Sequence, residues 1–258
     1  MAKAGKANFA GEFALVTGAA RRIGRAIAGR LASEGHGVLL HASPRSRAEA
    51  ADFAREIESR GGRAEVLIAD LGDAAQTHAL MQRAAAIGPV TLLVNNASAF
   101  EADGAGVFDA ALFERHMAVN LRAPVQLSSA FVAALPAGRE GCVVNIVDQR
   151  VWRLNPRFFS YTLSKSALWT ATQTMAQAFA PRVRVNAVGP GPTLANNMDG
   201  AEGFAREAAA VPLGRAVEPG EIADAVLYLA RARGVTGQMI AVDGGQHLAW
   251  KTPDVETG

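Results

Sequence analysis

Residues 13–24 read F-A-L-V-T-G-A-A-R-R-I-G: an apolar run, a turn built on Gly18 and Gly24, and the start of an alanine-rich helical stretch reaching to about Glu34. Glycine permits a tight turn and close backbone approach, and the amides exposed at a helix start hold a pyrophosphate. The spacing alone is a weak signal. It gains force from its place after the first strand of a chain that alternates strands with helices.

Working outward, that alternation continues. Apolar runs at 38–42, 64–69 and 90–94 read as strands, separated by helical stretches at 46–60 and 75–86, with Gly61-Gly62 stopping the first helix. The second half repeats the theme, with helices at 114–135, 158–180 and 219–231 and strands at 142–147, 183–188 and 238–242. Strands that are continuously apolar, each followed by a helix, predict a doubly wound parallel sheet with helices on both faces, of Rossmann type. Ligands of such sheets collect beyond the carboxyl ends of the strands. No linker rich in proline, serine or charge divides the chain, so the reading is one domain over 1–258. The irregular interval 189–215 reads as a mobile flap over a site.

Composition narrows the class. Of 258 residues half are hydrophobic and 19% charged, and the formal net charge is +2, with both signs interleaved. That balance gives no warrant for a nucleic-acid partner. No apolar run reaches a membrane-spanning length, and the N-terminus has no signal-peptide core. A single cysteine, Cys142, forms no intrachain disulfide and fits a reducing cytoplasm. The expectation is a soluble cytoplasmic protein with frayed ends at about the first ten and last seven residues.

The second strand ends in His41-Ala42-Ser43-Pro44-Arg45, without the acid that would hydrogen-bond an adenosine ribose. Arginine there accepts a 2′-phosphate instead, so Arg22, His41, Ser43 and Arg45 favour NADP(H) over NAD. Asp70, at the end of the third strand, suits an adenine amino group or the cap of the next helix.

Farther on, Tyr161 and Lys165 stand four apart, one turn of helix. A cation beside a phenol favours its ionisation, which a tyrosine titrating near 10 needs if it is to exchange protons near neutrality. Asp148, just after an apolar strand, is a second proton-handling group.

Taken together these features resemble the short-chain dehydrogenase/reductase family over 13–250. The marks are the turn from Thr17 to Gly24, Asn95-Asn96-Ala97, Asn120 in V-N-L, the Tyr161/Lys165 pair, Pro190-Gly191 and V-D-G-G at 242–245. Two departures from the commonest pattern, Arg22 in place of a glycine and Asp148 in place of the relay serine, are similar to pteridine and dihydromonapterin reductases. The resemblance implies a dinucleotide site of Gly18, Arg22, Ile23, His41, Ser43, Arg45, Asp70, Leu71, Asn95, Ala97, Asn120, Tyr161, Lys165, Pro190 and Gly191. It places Arg22, Ser98, Phe100, Asp148 and Tyr161 toward a pterin, with Phe100 stacking on it, and gives Asp148, Tyr161, Lys165 and Asn120 catalytic roles. No metal is implied. The activity expected is NADPH-dependent reduction of a small heterocycle. The rivals are reduction of a ketone or 3-oxoacyl thioester, and dinucleotide binding without turnover. The family also implies a homotetramer or homodimer, for which the apolar G-G-Q-H-L-A-W at 244–250 is a candidate interface.

Overall fold

The computed structural model describes residues 11–195 and 200–250; the two chain ends and residues 196–199 of the expected flap lie outside them. The first half runs β1 (Phe13–Val16), α1 (Arg22–Ser33), β2 (Gly37–Ala42), α2 (Arg47–Ser59), β3 (Arg63–Ile68), α3 (Ala74–Ile87) and β4 (Val90–Asn95). The second adds α4 (Ala110–Met117), α5 (Ala123–Ala134), β5 (Gly141–Ile146), α6 (Phe159–Phe179), β6 (Val183–Pro190), α7 (Gly200–Ala210), α8 (Pro219–Arg231) and β7 (Met239–Val242). All pairings are parallel, in the order β3-β2-β1-β4-β5-β6-β7.

Burial explains why these runs are strands. Every residue of β1, β2 and β5 is buried, as a sheet covered on both faces requires. The edge strand β3 instead alternates exposed Arg63 and Glu65 with buried Ala64 and Leu67. On one face Ile27 and Leu31 of α1, Phe53 of α2 and Ile222 and Val226 of α8 share a core with Val16 and Leu40. On the other, Leu80 and Met81 of α3, Leu127 and Phe131 of α5 and Met175 of α6 pack on Leu15 and Leu93. Truncating any one of these large side chains to alanine costs about 2–5 kcal/mol.

Strand order reverses between β1 and β4, the two middle strands that run to the glycine turn and to Asn96. A crevice therefore opens beyond their carboxyl ends. The expected helix over 114–135 is interrupted: residues Ala118–Arg122 form a π-turn between α4 and α5, with Asn120 in its middle. Such turns bulge one residue out of the helical ladder and are frequent at functional sites.

Candidate active site

A cavity of about 1420 Å³ lies over the carboxyl ends of the strands. At one end stands the turn after β1. Thr17 Oγ1 accepts the amides of Asn96 and Ala97, both at 2.9 Å, and the Asn96 side chain donates to Thr17 O at 2.8 Å and Gly18 O at 3.2 Å. Gly24 has to be glycine, because a Cβ there would stand 2.1 Å from Gly18 O. Arg22 adopts φ +54°, a left-handed conformation that costs a side-chain-bearing residue roughly 1–2 kcal/mol. Its guanidinium donates to Ala195 O (3.0 Å) and Leu194 O (3.3 Å), joining the turn to the flap segment.

His41 lines this end, but not as a cation facing a phosphate. It is buried, its Nδ1 accepts the Gly18 amide at 3.1 Å, and the network places the proton on Nε2, which donates to Ala69 O at 3.2 Å. Burial, more than any neighbour, lowers its pKa to about 4, so the ring is neutral and braces the glycine turn against β2 and β3.

At the far end, Tyr161 Oη donates to Asp148 Oδ2 at 3.0 Å. Burial, and then the Asp148 charge, raise the phenol well above its usual 10, with Arg150 pulling the other way. Lys165, expected to favour phenolate, turns its ammonium to the backbone rather than to the phenol. Lys165 Nζ donates to Ile146 O at 2.8 Å and sits 5.7 Å from the Tyr161 ring centre; burial lowers it to about 8, against the pull of Asp148. Tyr161 is thus held as an acid with its proton in place.

The wall beside Tyr161 is aromatic. Phe100 sets its edge against Tyr161 (4.7 Å between centroids, 78° between planes) and stacks on Phe158 (4.6 Å, 20°). Phe158 itself has φ +58°, and with Arg22 it makes the two non-glycine residues of left-handed conformation among those described. Both line the cavity, where strain of this kind concentrates. Phe158 is held from the loop after β4: its amide donates to Asp103 O at 3.1 Å, while the Asp103 carboxylate accepts the Ser160 amide at the start of α6.

Of the residues singled out in the sequence, Gly18, Arg22, Ile23, His41, Ser43, Leu71, Ala97, Ser98, Phe100, Asp148, Tyr161, Lys165, Pro190 and Gly191 line this one cavity. Four do not. Asn95 turns away from the cavity, its side chain donating to Asn145 Oδ1 at 2.8 Å and to Ser128 Oγ of α5 at 3.3 Å, and Asn96 takes the wall instead. Asp70 accepts the Gly72 amide at 2.9 Å on an exposed turn, and Arg45 is exposed on the turn Pro44–Ser46. Asn120 lies behind the wall, fully buried. It accepts the Ala99 amide at 2.8 Å and donates to Ala99 O and Ser164 Oγ, each at 3.0 Å, so it ties the loop carrying Phe100 to the helix carrying Tyr161. The sequence assigns no site role to Asn96, Gln149, Arg150 or Phe158, all of them on the wall.

A family described as enoyl-(acyl carrier protein) reductase matches residues 18–247. The crystal structure of FolM alternative dihydrofolate reductase 1 from Brucella suis in complex with NADP is of a chain 53% identical to this one. It covers 96% of this chain and 99% of its own, with a TM-score of 0.92. The galactitol 2-dehydrogenase (L-tagatose-forming) of Cereibacter sphaeroides is 37% identical over 93% of this chain and 96% of its own length. The dihydromonapterin reductase of Klebsiella pneumoniae is 32% identical over 91% and 96%. With the glycine turn, the buried tyrosine and lysine on one helix and the seven parallel strands in this order, the chain belongs to the short-chain dehydrogenase/reductase family and is closely related to its FolM and pteridine reductase subgroup.

Proposed function

We propose that the chain reduces a pterin-type heterocycle, a dihydropteridine, dihydromonapterin or dihydrofolate, with NADPH. The observation that carries this reading is the convergence of Phe100, Asp148 and Tyr161 on one wall of a cavity that begins at the glycine turn. The name of the Brucella suis protein, at 53% identity, supports both the cofactor and the substrate class.

The residues present fit the dinucleotide. The cavity exceeds the roughly 300–1,000 Å³ of a pocket for one ligand. The start of α1 carries no side-chain cap, which leaves its first amides for a pyrophosphate. Arg21, Arg22, Ser43 and Ser46 line the end where a 2′-phosphate would arrive, and β2 ends without an acid. When bound, the dinucleotide supplies the hydride. Tyr161 supplies the proton to the substrate nitrogen, Lys165 holds the nicotinamide ribose, and Asn120 keeps the loop of Phe100 and the helix of Tyr161 in register. Asp148 offers acceptor lone pairs to the ring N–H and amino groups that a pterin carries and a simple ketone lacks.

Assembly as a homotetramer or homodimer belongs to the same proposal, supported by Leu248 and Trp250, 62% and 66% exposed at the end of the described chain. No helix among the described residues is long and apolar enough to cross a membrane. A cytoplasmic location belongs to the same proposal, supported by a single cysteine, which suits a reducing compartment.

The test is NADPH oxidation, followed at its absorbance band, with dihydropterins, dihydrofolate, sugar ketones and 3-oxoacyl thioesters side by side. The proposal expects turnover with at least one dihydropterin or dihydrofolate. Turnover confined to ketones or thioesters would replace the substrate class, and binding without turnover would remove the activity.

A further inference from the structure

Arg150 has no place in the reading above, yet its side chain, 11% exposed, is among the more buried cations of the cavity. It follows Asp148 by two residues in the tight turn Gln149–Val151, and that turn divides the carboxylate. Oδ1 accepts the Arg150 amide at 2.9 Å and faces Arg150 Nε at 3.4 Å, while Oδ2 is left to the Tyr161 hydroxyl at 3.0 Å. The guanidinium carbon lies 5.2 Å from the Phe158 ring centre and 5.8 Å from that of Tyr161. Arg150 Nη1 is buried without a hydrogen-bond partner among the described residues. A buried guanidinium kept at such a cost, between two rings and against a carboxylate, is not there to be solvated.

The chemistry of the proposed reaction offers one. As the substrate carbon gains the hydride, the π pair of its C=N bond becomes a new N–H bond, and the Tyr161 O–H pair stays behind on oxygen as phenolate. Asp148 alone opposes that outcome twice: its charge holds the phenolic proton, and it repels the phenolate that forms. A cation on the far oxygen offsets both effects, and in a water-poor site the offset is strong.

We propose that Arg150 is a positioning and charge-balancing residue for proton transfer from Tyr161: it presents one oxygen of Asp148 to the phenol and neutralises the pair so that the proton passes to the substrate. The inference rests on the proposed role of Tyr161 as proton donor and extends it to a residue two positions beyond the carboxylate.

The experiment is a double-mutant cycle of Arg150→Met and Asp148→Asn, read by single-turnover NADPH oxidation with a 7,8-dihydropterin. Arg150→Met alone should slow the step about 100-fold, with substrate KM and NADPH affinity within about threefold. In the Asp148→Asn background the same change should cost less than about threefold, because the charge it balances is gone. Arg150→Lys, which keeps the charge, should recover about tenfold of the loss. Equal losses in both backgrounds, or a loss confined to KM, would overturn the proposal.

If the wild type oxidises NADPH with no dihydropterin, the pterin reading has failed, and the cycle is then read by urea unfolding of the same four proteins. A buried pair predicts that Arg150→Met destabilises the wild type more than the Asp148→Asn variant. Additive losses would reject the pairing on which the inference stands.

Discussion

At the glycine-turn end of the cavity the backbone cradle itself is held by neutral groups. Thr17, Asn96 and an uncharged His41 hold the backbone of Gly18 and Ala97 by hydrogen bonds across 23 to 80 residues of sequence. At the other end the chain works with charge and rings: Asp148 between Arg150 and Tyr161, and Phe100 between Phe158 and Tyr161. The difference follows from what each end has to do. A dinucleotide brings its own charge and needs a rigid backbone cradle, whereas a proton transfer needs groups whose charges are balanced against one another.

Removing the proton donor should break that contrast most severely. Tyr161→Phe is expected to lower kcat by about 10²–10⁴-fold. NADPH affinity, measured by fluorescence, should stay within about threefold, since the phenol belongs to the charged end. A matching loss of NADPH affinity would show that the two ends are not separable.

The neutral brace of the glycine turn has its own signature in pH. His41 is uncharged in the fold, its pKa lowered by burial to about 4 from the usual 6.5, so the unfolded chain binds more protons between those values. Its contribution is fully present above about pH 6.5 and is lost as pH falls toward 4, roughly 3 kcal/mol in all. Urea unfolding at pH 7 and pH 4.5 should show this loss in the wild type and a smaller one in His41→Gln. Equal losses would mean that His41 is not the neutral brace described. The same variant should weaken NADPH and NADH alike, because a brace carries no 2′-phosphate selectivity. A changed preference between them would restore the direct phosphate contact that the sequence suggested.

The smallest effect concerns the ring. Phe100→Ala should raise the KM for a dihydropterin about fivefold to tenfold, the equivalent of roughly 1 kcal/mol of stacking, and leave NADPH binding unchanged. An unaltered KM would assign Phe100 to packing with Phe158 alone.

How much of this was readable beforehand depended on the range of the interactions. Helix α8 is found at the residues expected, because its signals are local: Pro219 at the first turn and a capping box between Glu218 and Glu221. The expected single helix at 114–135 is broken because Asn120 is drawn to Ala99 and Ser164, 21 and 44 residues away, which no local pattern reveals. Asn95 and Asn96 are adjacent and alike in sequence, and only the alternation of side chains at the end of β4 decides that the first faces α5 and Asn145 and the second the cavity. His41 is grouped by sequence with the residues that favour a 2′-phosphate, yet Gly18 and Ala69 occupy both its nitrogens, contacts that lie 23 and 28 residues away. Arg22 shows the reverse case. The commonest family pattern carries a glycine at its position, and φ +54° gives the physical reason, since this chain places an arginine in a glycine's conformation.

The central claim is that a flat heterocycle and the nicotinamide meet between these two ends, and a crystal structure with NADP and a dihydropterin bound tests it most directly. The account predicts the heterocycle lying parallel to Phe100, with a ring nitrogen within hydrogen-bond reach of Tyr161 Oη and an N–H on Asp148. A heterocycle bound elsewhere, with no contact to Phe100, Asp148 or Tyr161, would contradict it.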